Sequence, residues 1–550
     1  MKKLMFFMAL TFWACQADRE SLDAGQDAVS QEFDATGVDG GQEDLIDGGD
    51  SGLLDLNPGE QDGAADGDAQ LADGGDAGAD IPHYPCANGV TPAENILTKY
   101  QMLIVTGPQL VEEFRALADW KAQKGVPTVI VDTVTIDKNI SGQDLPAKIR
   151  EYIRQSWLQG VEWVLLGGDA EVVPPRLVHT RALTQFDETF ASDFYYSDLD
   201  GTWDKNGNGV YGELADDCDM HPDIAVGRLP VSNAADVRAV TDKILLYEQT
   251  DNSKTLKALF ISEDTGFLNF DSALQLNPLA DNVFPARFEK QKLYWKYEGY
   301  PGATENSLAA QVAALEDGKN FVTHYGHASE LDLNMEMNAS DVDKLTNSPY
   351  FPIYVTCGCM AGHFDYQSAD SAGERLLTNP SGGAVAYLGN TNYGLGAGGG
   401  TAFIEAFYKA LFAGNTQLGN AMKIARETFY TNESSLQSEL LGIRWTQFVV
   451  VLFGDPEMPA RLDNPGRLVL RHPDKMRVGE QCLELEVTRE SRPLAGATVT
   501  LYRRGQFLFR QQTDQQGRTV FRFDPGAPGS VEVTASNGQD LPALSVLEVF

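Results

Sequence analysis

Beyond residue 100 the chain alternates short apolar runs with segments of helical periodicity, and this alternation most constrains its fold. The first runs are "MLIVTG", "TVIVD" and "WVLLGGD", with a helix expected near residues 144 to 158. A second series follows as "ALFIS", "NFVTHYG", "PIYVTCG" and "GAVAYLG". Such alternation is typical of α/β folds, in which parallel strands carry ligand-facing loops at their carboxyl ends. The pattern therefore predicts two α/β subdomains with parallel-sheet cores, over residues 95–250 and 251–462.

The pattern changes beyond residue 465, where apolar and polar residues alternate with a period of two. The runs are "LELEVTRE", "ATVTLYRR", "RTVFRF" and "SVEVTAS", and turn residues separate them. This predicts an antiparallel, immunoglobulin-like β-sandwich over residues 465–550. We expect this module to bind or to act as a spacer, so catalysis would belong to the α/β part.

The region before the α/β part is strongly acidic. It shows neither the alternation of strands and helices nor the period of two. Residues 16–83 contain 19 Asp and Glu against one Arg, a net charge of −18 out of −37 for the whole chain. With few large apolar residues, this stretch cannot bury enough surface to offset the entropy of ordering it. It predicts a disordered linker of Asp, Gly and Ala, and its charge argues against nucleic acid as a partner.

The first 15 residues, "MKKLMFFMALTFWAC", combine two lysines with an apolar run that is too short to span a bilayer. This predicts an export signal. The cysteine directly after Ala14 resembles the lipidation site of bacterial lipoprotein signals, so Cys15 would attach the protein to a membrane, and ordinary secretory cleavage is the alternative. We expect an exported protein at the cell surface or outer membrane of a Gram-negative bacterium, or otherwise a secreted one.

Export also permits disulfides, and the number of cysteines limits how they can pair. Without Cys15 the chain has five, so at least one thiol is free or intermolecular. The sequence does not assign the pairing among Cys86, Cys218, Cys357, Cys359 and Cys482.

Two strands of the second subdomain end on potentially reactive residues. "NFVTHYGHASE" places His327 after one strand, and "PIYVTCGC" places Cys359 after another. The carboxyl ends of parallel strands open on the same edge of a sheet, so a right-handed crossover between neighbours would bring the imidazole and the sulfur together. A nearby imidazole lowers the pKa of a thiol and can later protonate a leaving amine, which is what thiolate catalysis needs.

The blocks "YGHASE" and "CGCMAGHF" resemble the paired motifs of the gingipain family of cysteine peptidases, within the wider group that includes caspases, legumains and clostripain. The resemblance extends through "LLGGDAEVVPPR", "DIAVGRLPV", "SGGAVAYLGN" and "LFGDPEMP", over roughly residues 100 to 460. It implies caspase-like subdomains, with His327 as the catalytic histidine and Cys359 as the nucleophile. The backbone N–H groups of Ala328, where the family usually has Gly, and of Cys359 would form the oxyanion hole.

The resemblance also implies an acidic residue that orients the histidine. Both Glu263 and Asp264 in "ALFISEDTG" fall near its place, and alignment without gaps slightly favours Asp264. Asp271 falls near the carboxylate that pairs with the substrate's guanidinium in arginine-specific members, which would give cleavage after basic residues. An ordinary helix N-cap is the alternative for Asp271.

The second cysteine of the motif, Cys357, is interpreted as a small buried hydrophobic residue. Zinc bound by Cys357, Cys359 and His363 is a weak alternative, because no second pair of ligands completes a tetrahedral set. No organic cofactor is expected.

Oxygen-bearing side chains cluster around glycines in "SDLDGTWDKNGNGVYGELADDCD". Hard oxygen ligands on a turning backbone suit calcium, and "DKNGNG" is similar to the first half of an EF-hand loop, although position twelve is Ala215 rather than Glu. We expect a structural calcium site, with an acidic loop that binds nothing as the alternative. The candidate ligands are Asp198, Asp200, Asp204, Asn206, Asn208, Glu213 and Asp216.

Together these features predict an exported cysteine endopeptidase that cleaves proteins or peptides through a Cys-His dyad and a thioacyl-enzyme. Two alternatives stay open. One is a catalytically idle family member that acts as a surface adhesion or scaffold protein, against which the presence of both His327 and Cys359 argues. The other is a surface transpeptidase, which would share the acyl-enzyme and differ only in the nucleophile that resolves it.

Overall fold

The computed structural model describes residues 81–182, 186–251, 253–265, 271–396, 399–433 and 442–550. The export signal, Cys15 and residues 16–80 of the acidic linker lie outside the described residues, so the expectations for them stay predictions. Within the described ranges, no helix is both long enough and apolar enough to cross a membrane.

Eleven of the described strands form one large sheet. They are β1 (Met102–Thr106), β2 (Thr128–Asp132), β3 (Trp163–Gly167), β6 (Ala225–Leu229), β7 (Lys257–Ser262), β8 (Glu289–Tyr294), β9 (Ala303–Glu305), β10 (Phe321–Tyr325), β11 (Ile353–Thr356), β12 (Ala386–Asn390) and β13 (Val450–Phe453). Their order across the sheet is β2-β1-β3-β6-β13-β12-β11-β10-β7-β8-β9. A separate hairpin consists of β4 (Arg176–Ala182) and β5 (Phe186–Ser192).

The large sheet contains two parallel blocks that run in opposite directions. In the first block β1 pairs parallel with β2 and β3, and in the second β10 pairs parallel with β7 and β11. The strand β13 joins the blocks, because it pairs parallel with β6 and antiparallel with β12. The two expected subdomains are therefore halves of one continuous sheet, a connection that the sequence pattern did not indicate.

Helices connect the strands, and several begin where the sequence provides a cap. They are α1 (Arg115–Gln123), α2 (Thr133–Asn139), α3 (Leu145–Trp157), α4 (Ala234–Gln249), α5 (Ala273–Pro278), α6 (Leu308–Glu316), α7 (Ala339–Val342), α8 (Ala372–Thr378), α9 (Gly400–Phe412), α10 (Leu418–Glu433) and α11 (Ile443–Val449). Asp144, for example, accepts a hydrogen bond from the backbone N–H of Ala147 at the start of α3, the helix expected near residues 144 to 158. Ser371 and Glu374 form a reciprocal capping box at the start of α8, directly after the region that carries Cys359.

The core of the α/β part extends through both blocks. Every residue of β1, β3, β10 and β11 is buried, as expected for strands that are covered on both faces. Buried apolar side chains from the two blocks form one continuous cluster. The functional loops at the strand ends are thus attached to a single rigid scaffold.

The C-terminal strands form the expected β-sandwich. They are β14 (Leu468–Arg471), β15 (Lys475–Met476), β16 (Gln481–Arg489), β17 (Arg492–Pro493), β18 (Thr498–Arg503), β19 (Phe507–Gln512), β20 (Arg518–Phe523), β21 (Gly529–Ser536) and β22 (Ala543–Val549). One sheet contains β14, β16, β17 and β20, and the other has the order β15-β22-β21-β18-β19. Their inward side chains form a second apolar cluster.

The segment that precedes β1 is bound to the sandwich. Backbone hydrogen bonds run from Ala93 to Arg522 and from Ile96 to Leu508, both at 2.8 Å. A disulfide joins Cys86 to Cys482, which are 396 residues apart. Cys218 and Cys357 are buried free cysteines, so the structure assigns four of the five cysteines whose pairing the sequence left open.

Candidate active site

The loops that carry His327 and Cys359 lie side by side at one edge of the sheet. The strands before them, β10 and β11, are parallel neighbours in which His324 lies opposite Thr356. The two loops are in close contact at Gly358, which has no side chain. A Cβ atom added there would lie only 2.6 Å from the Cβ of Ala328. His327 and Cys359 both line the same small pocket.

The imidazole of His327 is held by a backbone group that no sequence motif indicated. Its Nε2 atom lies 2.9 Å from the carbonyl oxygen of Thr265, in the segment that follows β7. A carbonyl oxygen only accepts hydrogen bonds, so this contact requires the proton on Nε2. The Nε2 atom therefore carries a proton in this arrangement.

Glu263 contacts the backbone of the His327 loop. Its side chain is buried, with 3% exposed. One carboxylate oxygen accepts from the N–H of His327 at 3.0 Å and the other accepts from the N–H of Met335 at 2.9 Å. Glycine is required at position 326, because a Cβ there would lie 2.2 Å from a carboxylate oxygen of Glu263. Glu263 thus contacts the backbone of the loop at two points, and its expected role in orienting the imidazole stays a prediction.

The other candidate, Asp264, is half-buried and forms an isolated β-bridge with Asp271. Its expected role in orienting the imidazole stays a prediction. The second histidine of the motif, His324, is fully buried, and its Nδ1 lies 2.8 Å from the hydroxyl of Thr356. This contact joins β10 to β11, so His324 supports the scaffold below the pocket.

The turn around Cys359 is fixed by the segment that follows β12. The side-chain amide of Asn390 donates to the carbonyl of Gly358 at 2.7 Å, and the N–H of Met360 donates to the carbonyl of Asn392 at 3.0 Å. Met360 has a φ of 50°, a left-handed conformation that costs about 1–3 kcal/mol for a residue with a side chain. Such strain persists only where surrounding contacts determine the backbone, as they do here. The sulfur of Cys359 lies 3.9 Å from the carbonyl oxygen of Gly394.

The backbone of Ala328, expected to form part of an oxyanion hole, adjoins the loop that carries Cys359. It does not have a positive φ, so its backbone does not require the glycine that the family usually has. Its backbone nitrogen would lie 3.5 Å from a Cβ atom added to Gly358, the residue that precedes Cys359. Among the described residues, no oxygen accepts a hydrogen bond from this N–H.

Cys357 has the environment of a structural residue. It lines the pocket but is only 7% exposed, and burial raises the pKa of its thiol to about 12. A thiol with such a pKa stays protonated at neutral pH and is a poor nucleophile.

His363 is paired with carboxylates on the far side of the motif. Its ring nitrogens lie 3.5 Å from Glu330 and 3.3 Å from Asp365. Within the described ranges, the groups of side chains that could hold a metal ion do not include Cys357, Cys359 or His363.

Asp271 lies at the start of α5. One of its carboxylate oxygens accepts from the N–H of Ala273 at 3.0 Å, and the other accepts from the hydroxyl of Tyr300 at 2.9 Å. The first contact is that of a helix cap, the alternative considered for this residue. Asp271 is not among the described residues that line the pocket.

The candidate calcium ligands are divided between two places. Asp198 and Asp200 lie together with Asp223, and ligand atoms of all three are within 4.8 Å of one another. Asp198 is fully buried, and no group among the described residues donates a hydrogen bond to its Oδ2 atom. Burial and the nearby charge of Asp219 raise the pKa of the Asp198 carboxyl to about 7. Asp223 was missed because it lies beyond the glycine-rich stretch that suggested the site.

The remaining candidates form a loop whose oxygens are largely occupied by hydrogen bonds within it. Glu213 accepts from the side-chain amides of Asn206 and Asn208, at 3.2 and 2.6 Å. Asp216 accepts from the N–H groups of Lys205 and Glu213, and Asp204 accepts from the N–H of Gly209. The Oδ1 atom of Asp204, however, is buried, and no donor in the described part of the chain reaches it. The single group predicted from the sequence is thus two groups, and each contains one unsatisfied carboxylate oxygen.

The α/β part of the chain matches one known protein family. The model of peptidase family C25 matches residues 95–461. The chain belongs to this family. The resemblance to gingipains that the sequence motifs indicated is thereby confirmed, and the match covers the whole of the large sheet and its loops.

The curated proteins that resemble this chain share only about a quarter of its residues in the matched regions. Lys-gingipain of Porphyromonas gingivalis is 25% identical over 305 residues, which is 54% of this chain and 16% of that protein. The chain therefore corresponds to about a sixth of that relative's length. An uncharacterized protein of Archaeoglobus fulgidus is 23% identical over 349 residues. The match covers 53% of this chain and 75% of the archaeal protein.

Solved structures show the same fold. The crystal structure of the Arg-specific cysteine proteinase gingipain R has a TM-score of 0.63 at 17% identity, over 84% of this chain and all of that one. A second structure, described as a protease, has a TM-score of 0.64 at 19% identity, over 82% of this chain and 98% of that one. The caspase-like α/β architecture with a C-terminal sandwich is thus the fold of this C25 member.

Proposed function

We propose that this C25 member is a cysteine endopeptidase in which Cys359 is the nucleophile and His327 is the acid/base residue. The observation that carries the proposal is that both side chains line one pocket, at the carboxyl ends of two neighbouring parallel strands. Membership of a peptidase family supports protein or peptide substrates.

The contact between His327 and Thr265 supports one proposed order of proton transfers. With the Nε2 proton held by the carbonyl of Thr265, the Nδ1 atom takes the proton from the thiol of Cys359. The thiolate then attacks the carbonyl carbon of the substrate, and a carbon–sulfur bond forms as the carbonyl electron pair moves to the oxygen. The N–H groups of Ala328 and Cys359 stabilise this oxyanion. His327 returns the proton to the leaving amine, the carbon–nitrogen bond breaks, and water hydrolyses the thioester.

Two acidic residues are proposed to support this chemistry in different ways. Glu263 keeps the His327 loop in place through the backbone, as its hydrogen bonds suggest. Asp264 is proposed as the carboxylate that orients the imidazole and stabilises its charged form. Cleavage after basic residues through Asp271 remains an alternative specificity.

A peptidase and a transpeptidase would form the same acyl-enzyme and differ only in the molecule that accepts the acyl group. A transpeptidase would pass the acyl group to an amine instead of water. The idle scaffold is disfavoured because His327 and Cys359 both line one pocket, an arrangement that a protein without catalytic activity does not need.

We further propose that the protein is exported and attached to the cell surface or outer membrane through lipid on Cys15. The disulfide between Cys86 and Cys482 supports export, since disulfides persist in oxidising compartments. Residues 16–80 would then form an acidic tether between the lipid and the enzyme.

Calcium is proposed as a structural cofactor. The acidic group of Asp198, Asp200 and Asp223 fits a hard cation, because a buried carboxylate with an unsatisfied oxygen gains most from one. The loop from Asp204 to Asp216, with Asn206, Asn208 and Glu213, is the second candidate position. Its oxygens would have to exchange their hydrogen bonds for the ion.

Labelling of the nucleophile tests the proposed activity. Iodoacetamide should modify Cys359 rapidly, and His327→Ala should slow this reaction by raising the pKa of the thiol.

Cys359→Ala should abolish cleavage of a denatured protein substrate. The matched variant Cys357→Ala should keep most activity and lose about 1 kcal/mol of stability at most. Full activity in Cys359→Ala would reject Cys359 as the nucleophile, whereas absence of cleavage and of labelling in the unmodified protein would leave the scaffold as the better account.

A further inference from the structure

His324 lies below the point where the loops of His327 and Cys359 meet, and it is fully buried. Its two ring nitrogens contact different strands. Nδ1 lies 2.8 Å from the hydroxyl of Thr356 on β11, and Nε2 lies 3.3 Å from the Oε2 atom of Glu263, which follows β7. The ring on β10 thus connects the strands on both of its sides.

Each partner of His324 also accepts a hydrogen bond from one of the two loops. The hydroxyl of Thr356 accepts from the N–H of Gly358 at 2.8 Å, in the loop of the proposed nucleophile. The Oε2 atom of Glu263 accepts from the N–H of His327 at 3.0 Å. The three side chains Glu263, His324 and Thr356 therefore form a buried row that connects the backbone of one loop to the backbone of the other.

The two loops lie directly on the buried row. A Cβ atom added to Gly326 would lie 2.2 Å from the carboxylate of Glu263 and 2.6 Å from Nε2 of His324. A Cβ atom added to Gly358 would lie 3.1 Å from the hydroxyl of Thr356. Because the interior is close-packed at both places, a shift of a side chain in the row would shift a loop.

The donors and acceptors along the row are in a consistent order. Nε2 of His324 faces a carboxylate, which only accepts hydrogen bonds, so this nitrogen carries a proton. In the neutral ring, Nδ1 accepts from the hydroxyl of Thr356, whose oxygen still accepts from Gly358. The contact between His324 and Glu263 is within reach but is not aligned as a hydrogen bond. It is the contact of the row that a small shift of Glu263 would improve most.

We propose that His324 is a positioning residue that sets the distance between His327 and Cys359. This inference rests on the proposed function, since it assigns a supporting residue to the same dyad. The imidazole and the sulfur must come within hydrogen-bond reach before a proton can pass between them. A displacement of about 1 Å can cost about a hundredfold in rate. A residue that contacts the supports of both loops is suited to control this distance.

Labelling of Cys359 by iodoacetamide tests this role, because it needs no knowledge of the substrate and depends on the imidazole of His327. The rate is measured in the full chain by mass spectrometry as a function of pH. Thr356→Val keeps the shape of the side chain but leaves the N–H of Gly358 without its acceptor. It should slow labelling at pH 7 by about fivefold or more and move the midpoint of the pH profile upward. Thr356→Ser keeps the hydroxyl and should label within about twofold of the unmodified rate.

A double-mutant cycle tests the contact between His324 and Glu263. His324→Asn keeps a polar atom near the position of Nδ1 but does not reach Glu263. It should slow labelling by about fivefold or more, and the double variant with Glu263→Gln should be no slower than the slower single variant, because both changes break one contact. Effects that multiply in the double variant would show that the two residues act separately and would overturn the inference.

Thr323→Val is the matched control for the loss of a buried hydroxyl. Thr323 is fully buried and precedes His324 in β10, but its side chain faces the other side of the sheet, where its hydroxyl lies 2.7 Å from that of Tyr408 in α9. The control should lower the melting temperature as Thr356→Val does and leave the labelling rate unchanged. Equally slow labelling in this control, or unchanged labelling in Thr356→Val and His324→Asn, would give the row a purely structural role and reject the inference.

The unmodified protein and His327→Ala separate failure of this inference from failure of the proposed function. Labelling of Cys359 that depends on His327 but not on His324 or Thr356 would keep the dyad and reject the positioning role. Absence of labelling at Cys359 in the unmodified protein would reject the dyad itself, and the positioning role with it.

Discussion

The carboxylate of Glu263 accepts a hydrogen bond from the backbone N–H of His327 at 3.0 Å, while the imidazole of His327 lies 2.9 Å from the carbonyl oxygen of Thr265. The backbone and the ring of one residue are thus positioned by two different groups. A mutation of the acid therefore moves the loop, whereas its effect on the charge of the ring is indirect.

Glu263→Gln should lower kcat by about one to two orders of magnitude, because the amide leaves one of the two backbone N–H groups without its acceptor. The pH profile of kcat/KM should keep its midpoints, since the ring keeps its partner. Asp264→Asn should shift the acidic midpoint if Asp264 stabilises the charged imidazole. Profiles measured with one peptide substrate decide this, and a shifted midpoint in Glu263→Gln would contradict the positioning role.

Gly358→Ala should reduce activity about a hundredfold, because its Cβ would push Ala328 and His327 away from Cys359. The overpacking should also cost about 1–3 kcal/mol of stability, measured by urea denaturation. Gly299→Ala is a suitable control, since a Cβ there has no neighbour within 4 Å. Equal activity of both variants would show that the two loops need not be in close contact.

Asp198 should make stability depend on pH when calcium is removed. Its folded pKa of about 7 lies above the unfolded value, so the folded protein binds the extra proton and stability falls as pH rises from about 4 to 7. The loss is at most about 4 kcal/mol. Asp198→Asn should remove this dependence and raise the melting temperature at pH 8 in chelator.

Added calcium should restore the stability of the unmodified protein at pH 8, and Asp198→Asn or Asp223→Asn should blunt this rise. Asp204→Asn tests the second position. If it alone abolishes the rise, the ion binds in the loop from Asp204 to Asp216. Equal melting curves with calcium and with chelator would remove both positions from consideration.

Cys15→Ser should release the protein from the membrane fraction, because a hydroxyl cannot replace the thiol that is lipidated. Fractionation of cells that express the full chain, followed by immunoblotting, measures the change. Soluble protein in both cases would instead indicate ordinary secretory cleavage.

The position of His327 and Cys359 could be predicted because it depends on local pattern. Each follows an apolar run of strand length, and parallel strands bring their carboxyl ends to one edge. The buried state of Cys357 followed from the same strand. These features need no knowledge of distant partners.

The groups that complete the site could not be predicted in this way. The contact of Thr265 with His327 is made by a backbone carbonyl, which every residue has, so the sequence contains no signal for it. The joining of the two blocks through β13 depends on pairing with β6 and β12, which are far apart in the chain. Asp223 meets Asp198 only because the chain folds back beyond the glycine-rich stretch.

The disulfide between Cys86 and Cys482 turns the α/β part of the protein into a covalent ring, since all strands of the large sheet lie between these two residues. A single cut in any loop of the ring opens it without separating the pieces. A nicked molecule would run as one species on a non-reducing gel and as two after reduction. In the proposed surface peptidase, which would meet copies of itself, this ring would keep both halves of the sheet together after an accidental cleavage.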